Sequence, residues 1–167
     1  MLRNQQWRAR LLGPLLHRLT RWRVTPDQVT VASTLAGVLF CPLFFLSPAW
    51  ALFALAMHVL LDGLDGPLAR FQNRASRRGS FTDTMADQTI IFVTTLTLMS
   101  AGQVHLIAGS VYLFVYTLVV AFAMIRNALE IPYSWLVRPR FVVYLWIAVE
   151  VFWFPGSLNV LLILFDV

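Results

Sequence analysis

Residues 49–70 read AWALFALAMHVLLDGLDGPLAR. Apart from His58 the run is apolar from Ala49 to Leu61, then turns acidic at Asp62 and Asp65 and ends on Arg70. A helix without a polar face over its first three turns has lipid or protein on every side, and Asp62 marks where it meets a polar boundary. Comparable apolar runs occupy 29–46, 89–101 and 106–125. Each approaches the roughly 20 residues that carry a helix across about 30 Å of hydrocarbon. With 59% apolar and 14% aromatic residues and a mean hydropathy of +0.71, the chain lies outside the range of soluble globular domains. The expected fold is an all-α integral membrane protein of about six transmembrane helices, the last one short or truncated, behind an amphipathic interfacial helix. Its 167 residues are read as a single membrane domain, with 1–24 as the interfacial helix and 25–167 as the transmembrane bundle.

All 13 basic residues are Arg. They fall before Val24 (Arg3, Arg8, Arg10, Arg18, Arg21, Arg23), between Arg70 and Arg78, and at Arg126, Arg138 and Arg140. Cytoplasmic loops hold the positive excess, so the amino terminus and all three clusters are expected on the cytoplasmic side, with turns near Ser47, Gln103 and Gly156 outside. A pI near 10.3 also invites a nucleic-acid reading. Here, however, the charge borders apolar spans, where anionic headgroups are the nearer partner, and no nucleic acid is expected. Cys41 stands alone and informs no compartment. The Arg-rich first residues lack the uninterrupted apolar core of a secretory signal.

In residues 1–23, Trp7, Leu11, Leu12, Leu15, Leu16, Leu19 and Trp22 share half of a helical wheel, which suits a helix lying on the membrane; Gly13-Pro14 should break or bend it. Thr25-Pro26-Asp27 is a strong helix start. The first span then reaches about Leu46, and the second runs from Ala49 until Asp62. A polar loop covers 71–80, the third span begins near Phe81, and the fourth ends near Ile125. An interfacial connection follows at 126–140. A fifth span at 141–154 is short, and 158–167 holds too few residues to cross.

The chemistry concentrates in Asp62-Gly63-Leu64-Asp65-Gly66-Pro67-Leu68-Ala69-Arg70 and, eight residues on, Gly79-Ser80-Phe81-Thr82-Asp83-Thr84-Met85-Ala86-Asp87. At about 100° per residue, Asp62, Asp65, Gly66, Ala69 and Arg70 share one helix face, and Gly79, Asp83 and Asp87 form a stripe that drifts only about 80°. The short connection makes the two helices antiparallel neighbours whose stripes can face each other. Four converging carboxylates repel strongly in a low dielectric unless cations compensate them. Hard oxygen ligands in this number suit Mg²⁺ or Mn²⁺, and two such ions about 4 Å apart can polarise a phosphoryl group. Gly66, Ala69 and Gly79 leave room for a ligand against the backbone, and Arg70 offers a fork to a diphosphate. The competing structural reading pairs these acids with Arg70, Arg74, Arg77 and Arg78 in an ion network.

The pattern resembles the signature of the CDP-alcohol phosphotransferase family (CDP-alcohol phosphatidyltransferases), D-x₂-D-G-x₂-A-R-x₈₋₉-G-x₃-D-x₃-D. It is met at Asp62, Asp65, Gly66, Ala69, Arg70, Gly79, Asp83 and Asp87. Thr25-Pro26-Asp27-Gln28-Val29-Thr30 is similar to the family's T-P-N-x-hydrophobic-T start of the first span, with Asp27 in place of Asn. The resemblance implies a phospholipid-synthesising transferase that takes a CDP-diacylglycerol or CDP-alcohol donor and a hydroxyl acceptor, and releases CMP. It also implies a homodimer among membrane lipids. On that basis Asp62, Asp65, Asp83 and Asp87 are metal ligands, Asp87 is also the catalytic base, and Asp62, Gly66, Ala69, Arg70, Gly79 and Asp83 border the CDP moiety.

Arg126, Arg138 and Arg140 fall on the same side and are candidates for a phosphorylated acceptor. His58, one turn from Asp62, is read as an interhelical hydrogen-bonding residue, or else as a neighbour of the metal ligands. Glu150 is an acid inside an apolar run and so a functional candidate unless it lies at the outer interface. Two rival functions remain. A prenyltransferase-like enzyme also uses Asp, Mg²⁺ and diphosphate, but lacks the Gly66-x-x-Ala69-Arg70 insert. A cation or proton transporter would hold its acids nearer the bilayer midplane.

Overall fold

The computed structural model describes residues 2–129, 139–154 and 156–165. Regular structure in these residues is α-helical: α1 (Leu2–Arg21), α2 (Pro26–Val38), α3 (Phe40–Leu46), α4 (Pro48–Phe71), α5 (Arg77–Ser100), α6 (Leu106–Ala128), α7 (Pro139–Phe152) and α8 (Ser157–Phe165). The chain is an all-α membrane protein. Among the described residues three stretches are long and apolar enough to span: Pro26–Leu46, Pro48–Phe71 and Leu106–Arg126. Only 17% of the last of these is buried inside the protein, and Phe114, Phe122 and Ile125 stand exposed, as side chains solvated by hydrocarbon do. α5 equals α4 at 24 residues but carries Arg77, Arg78, Asp83 and Asp87 in its first half. α7 and α8, at 14 and 9 residues, are shorter than a full crossing requires.

α2 starts where its local chemistry says it should. Thr25 Oγ1 accepts the Gln28 N–H and Gln28 Oε1 accepts the Thr25 N–H at 2.9 Å, a reciprocal box that satisfies donors at the helix start, with Pro26 in the first turn. The first span is not one unbroken helix. Pro42 has no N–H for the Val38 carbonyl, and α2 gives way to α3 at Leu39. Phe40 and Phe44 of α3 pack with Ala51 and Leu55 of α4 and Ile90, Ile91 and Leu98 of α5 in the main core. α2 approaches α5 closely at Gly37, where an added Cβ would lie 2.7 Å from Ile90 Cδ1. Small residues permit such backbone proximity between helices in lipid.

The connection that pairs the two halves of the motif is tighter than expected. α5 begins at Arg77, a turn before Phe81, so the loop is 72–76 and not 71–80. Ser76 caps α5 by accepting the Gly79 N–H at 3.0 Å, a polar start that hydropathy alone does not register. At the end of α4 the Arg74 N–H bonds the Ala69 carbonyl at 2.8 Å while Asn73 takes φ 53°. Asn tolerates this left-handed position better than most side chains.

α1 runs unbroken through Gly13-Pro14, contrary to the expected break. Pro14 deprives only the Arg10 carbonyl of a helical partner, and at a membrane surface water or headgroups can replace it. Leu16, 2% exposed, packs with Leu12 and Leu19 against Leu68 of α4 and Val29 of α2. Gln72 Nε2 donates to the Val24 carbonyl at 2.8 Å, tying the end of α1 to the end of α4. The apolar half of α1 is therefore divided, because Leu15 and Trp22 remain exposed. The side chains of Trp7 and Leu11 lie outside the described residues.

Glu150, in α7, is 1% exposed and serves the turn that follows. Its Oε1 accepts the Gly156 N–H at 2.5 Å, and its Oε2 accepts the Leu158 N–H at 2.7 Å and the Ser157 hydroxyl at 3.1 Å. Trp146 Nε1 donates to the same Ser157 hydroxyl at 3.0 Å. The first donors of α8 thus find their acceptor in a side chain of α7.

Candidate active site

The acids gather where α4 ends and α5 begins. One carboxylate oxygen from each of Asp62, Asp83 and Asp87 lies within 4.8 Å of the other two. Asp87 is 8% exposed, and the other two are half-buried. The stripe on α5 and the face on α4 therefore meet as the spacing requires. Asp65 is 7% exposed and stands outside this trio. Its Oδ2 accepts the Thr30 hydroxyl of α2 at 2.7 Å.

Around the acids the backbone is open. An added Cβ at Gly63 would meet nothing within 4 Å, and at Gly79 only Ser76 Oγ at 3.2 Å. At Gly66 it would lie 3.6 Å from Arg70 Nη1, so the Arg70 guanidinium folds back over the space that Gly66 leaves. A glycine inside a helix costs about 1 kcal/mol relative to alanine. At Gly37 close packing explains that cost; at Gly63, Gly66 and Gly79 no protein contact of that kind does. Pro67 adds to the local weakness, since it cannot donate to the Gly63 carbonyl.

The family comparison decides the class. The family profile of the CDP-alcohol phosphatidyltransferases matches residues 23–167. The chain belongs to this family. It is 32% identical over 128 residues to the archaetidylinositol phosphate synthase of Aeropyrum pernix, covering 76% of this chain and 59% of that protein. It is 34% identical over 115 residues to the inner membrane protein YnjF of Escherichia coli, covering 63% of this chain and 53% of the relative. The phosphatidylinositol phosphate synthase of Cutibacterium acnes is 34% identical over 83 residues, or 48% and 40% of the two chains. The chain thus spans about half the length of these curated relatives.

In this member of the family the acidic trio fits a hard divalent cation. Its donors are all carboxylate oxygens, and they stand close enough that cationic charge is needed to offset their repulsion. Between the first turns of α5 and the last turn of α6 opens a cavity of about 200 Å³ lined by Arg77, Ser80, Phe81, Thr84, Met124 and Ala128, with none of the three acids in its lining. Arg126 stands half-buried in that last turn of α6. Arg138 lies outside the described residues, and Arg140 is placed only as a backbone position in the first turn of α7. His58, 2% exposed, belongs to an interhelical contact: its Nδ1 and Ser33 Oγ are 2.9 Å apart, and that hydroxyl reaches the His58 carbonyl at 3.1 Å. Thr30, which closes the Thr25–Thr30 motif, and Arg77, which lines the cavity, carry no spacing signal that marks them in the sequence.

Proposed function

We propose that the protein transfers a phosphatidyl, or another phospho-alcohol, group from a CDP-linked donor to a hydroxyl acceptor and releases CMP. The observation that carries this reading is the meeting of Asp62, Asp83 and Asp87 from two consecutive helices, inside the stretch that matches the family. Mg²⁺ or Mn²⁺ bound there, as a pair held by Asp62, Asp65, Asp83 and Asp87, would supply charge neutralisation at the diphosphate and polarise the transferred phosphorus. Asp62, Gly66, Ala69, Arg70, Gly79 and Asp83 border the CDP moiety. The glycines let it approach the helix backbones, and the Arg70 fork binds diphosphate oxygens. Asp87 takes the proton of the acceptor hydroxyl as that oxygen attacks phosphorus and the CMP oxygen leaves. Its burial excludes competing water.

The acceptor we favour is a phosphorylated polyol of the inositol phosphate kind. Support comes from the names of several relatives, with Arg126, Arg138 and Arg140 as phosphate partners. We also propose that the Arg clusters and the acids face the cytoplasm, that residues 25–167 form the catalytic bundle as a homodimer, and that α1 lies on the membrane. The family match removes the motive for the prenyltransferase and transporter readings.

The test is CMP release from CDP-diacylglycerol by purified protein in detergent. Acceptors would include inositol phosphate, glycerol phosphate, serine and inositol, with Mg²⁺, Mn²⁺ or EDTA. Metal-dependent release with one acceptor is the expected result. No release from CDP-diacylglycerol or a CDP-alcohol with any acceptor would overturn the reading.

A further inference from the structure

The T-P-D-Q-V-T motif at the start of α2 ends on a residue that helix capping does not explain. Thr25, Pro26 and Gln28 serve the helix start itself, but Thr30 lies within the helix and points across to α4. Its hydroxyl has one proton and two acceptors in range: Asp65 Oδ2 at 2.7 Å and the Pro26 carbonyl at 3.2 Å. The shorter contact, to a charged oxygen, is the stronger one. One turn deeper, Ser33 and His58 make a second polar link between the same two helices, with both residues at most 3% exposed. Among the described residues no pair of helices packs more extensively than α2 and α4.

We infer that Thr30 is a positioning residue for the metal-ligand carboxylate Asp65. Asp65 is the one signature acid whose carboxylate stands outside the clustered trio. Two χ angles govern where its oxygens lie, and a hydroxyl from a different helix holds one of them. Where Asp65 holds its carboxylate is then set by α2 and not by α4 alone. Hydrogen bonds from outside the ligand set of a metal site fix ligand orientation in this way, and their loss typically lowers metal affinity about 10–100-fold. Ser33 links the same helix pair through His58, which makes Ser33 the natural control.

This inference rests on the transferase reading only through the assignment of Asp65 as a metal ligand. Its test is therefore direct Mn²⁺ binding to the full chain in detergent, followed by electron paramagnetic resonance, with thermal melting of each variant alongside. Thr30→Val keeps the shape and removes the donor. The expected result is Mn²⁺ affinity lowered about tenfold or more, restored by Thr30→Ser, while Ser33→Ala lowers the melting temperature and leaves affinity within about twofold. In an Asp65→Asn background Thr30→Val should have no further effect on affinity, since coupled residues are non-additive. Should Thr30→Val fail to fold, Thr30→Ala enters the same comparison.

Parental affinity in a folded Thr30→Val protein would overturn the inference. So would an equal loss in Ser33→Ala, which would show that any loosening of α2 from α4 suffices, or full additivity with Asp65→Asn. Parental protein that binds Mn²⁺ with this pattern yet releases no CMP would sink the transferase reading and leave the role of Thr30 standing.

Discussion

Replacing Glu150 with Gln separates a structural acid from a catalytic one. The carboxylate takes one donor on Oε1, the Gly156 N–H, and two on Oε2, the Leu158 N–H and the Ser157 hydroxyl. An amide can keep its oxygen on the two-donor side only by turning its NH₂ toward the Gly156 N–H, where two donors then face each other. A donor left without an acceptor costs about 1–3 kcal/mol, and each retained bond weakens by about 1 kcal/mol when the acceptor loses its charge. The favourable interaction of a negative charge with the start of α8 is also lost, about 0.3–1 kcal/mol. Easier burial of an amide than of a carboxylate returns part of this. The net is about 3 kcal/mol, which for a chain of this size lowers the melting temperature by about 6–12 °C.

Differential scanning fluorimetry in detergent reads that shift directly. CMP release measured well below the new melting point should stay within about twofold of the parent, because Glu150 sits at the end of the bundle opposite the acids. Asn159, just past it in α8, accepts the His105 N–H at 2.7 Å, beside the turn where α5 gives way to α6. An unchanged melting curve would refute the capping argument. If activity vanished with it unchanged, the acid would have to be catalytic.

Three further outcomes are expected. Asp87→Asn should lower CMP release at least about 100-fold, the lower bound for losing a positioned base, with melting retained; measurable turnover near the parent would remove Asp87 from that role. Arg70→Ala should raise the apparent KM for the CDP donor about 10–100-fold, the equivalent of about 1.5–3 kcal/mol for bonds to a charged group, and steady-state kinetics with varied donor would show it. Gly79→Asp brings a Cβ to 3.2 Å from Ser76 Oγ, the cap of α5, and adds a charge favourable to a helix start; the two effects oppose, and melting is read beside activity. Activity should nevertheless fall at least tenfold as the nucleotide is repelled; retained activity would place the nucleotide elsewhere.

What could be read in the chain follows from how local each signal is. The apolar run 106–125 places α6 almost to the residue, because in hydrocarbon a helix must satisfy its own backbone along its whole length. Thr25-Pro26-Asp27 marks the start of α2 because an N-cap, a proline at the first helical position and an acid in the first turn are chain neighbours. The convergence of Asp62 with Asp83 and Asp87 was legible because helical spacing and a short connection decide it. Ser76 was not read as a cap, since the Arg-rich turn after it looks like loop, and the Pro42 interruption was masked by the strength of the apolar pattern. Thr30 and Asp65 are 35 residues apart in sequence, and Glu150 is buried by a turn that folds back on it. Neither partnership has a periodic signature, and only tertiary packing reveals them.

The three clustered acids stand on neighbouring helices joined by five residues, so the centre is a property of one helical hairpin. During synthesis that hairpin is complete once Ser100 has emerged, before α6, α7 and α8 can pack against it. A nascent chain therefore carries its full complement of clustered negative charge into the bilayer early. Capture of divalent cations at that moment would make the ion an assembly factor as well as a reagent.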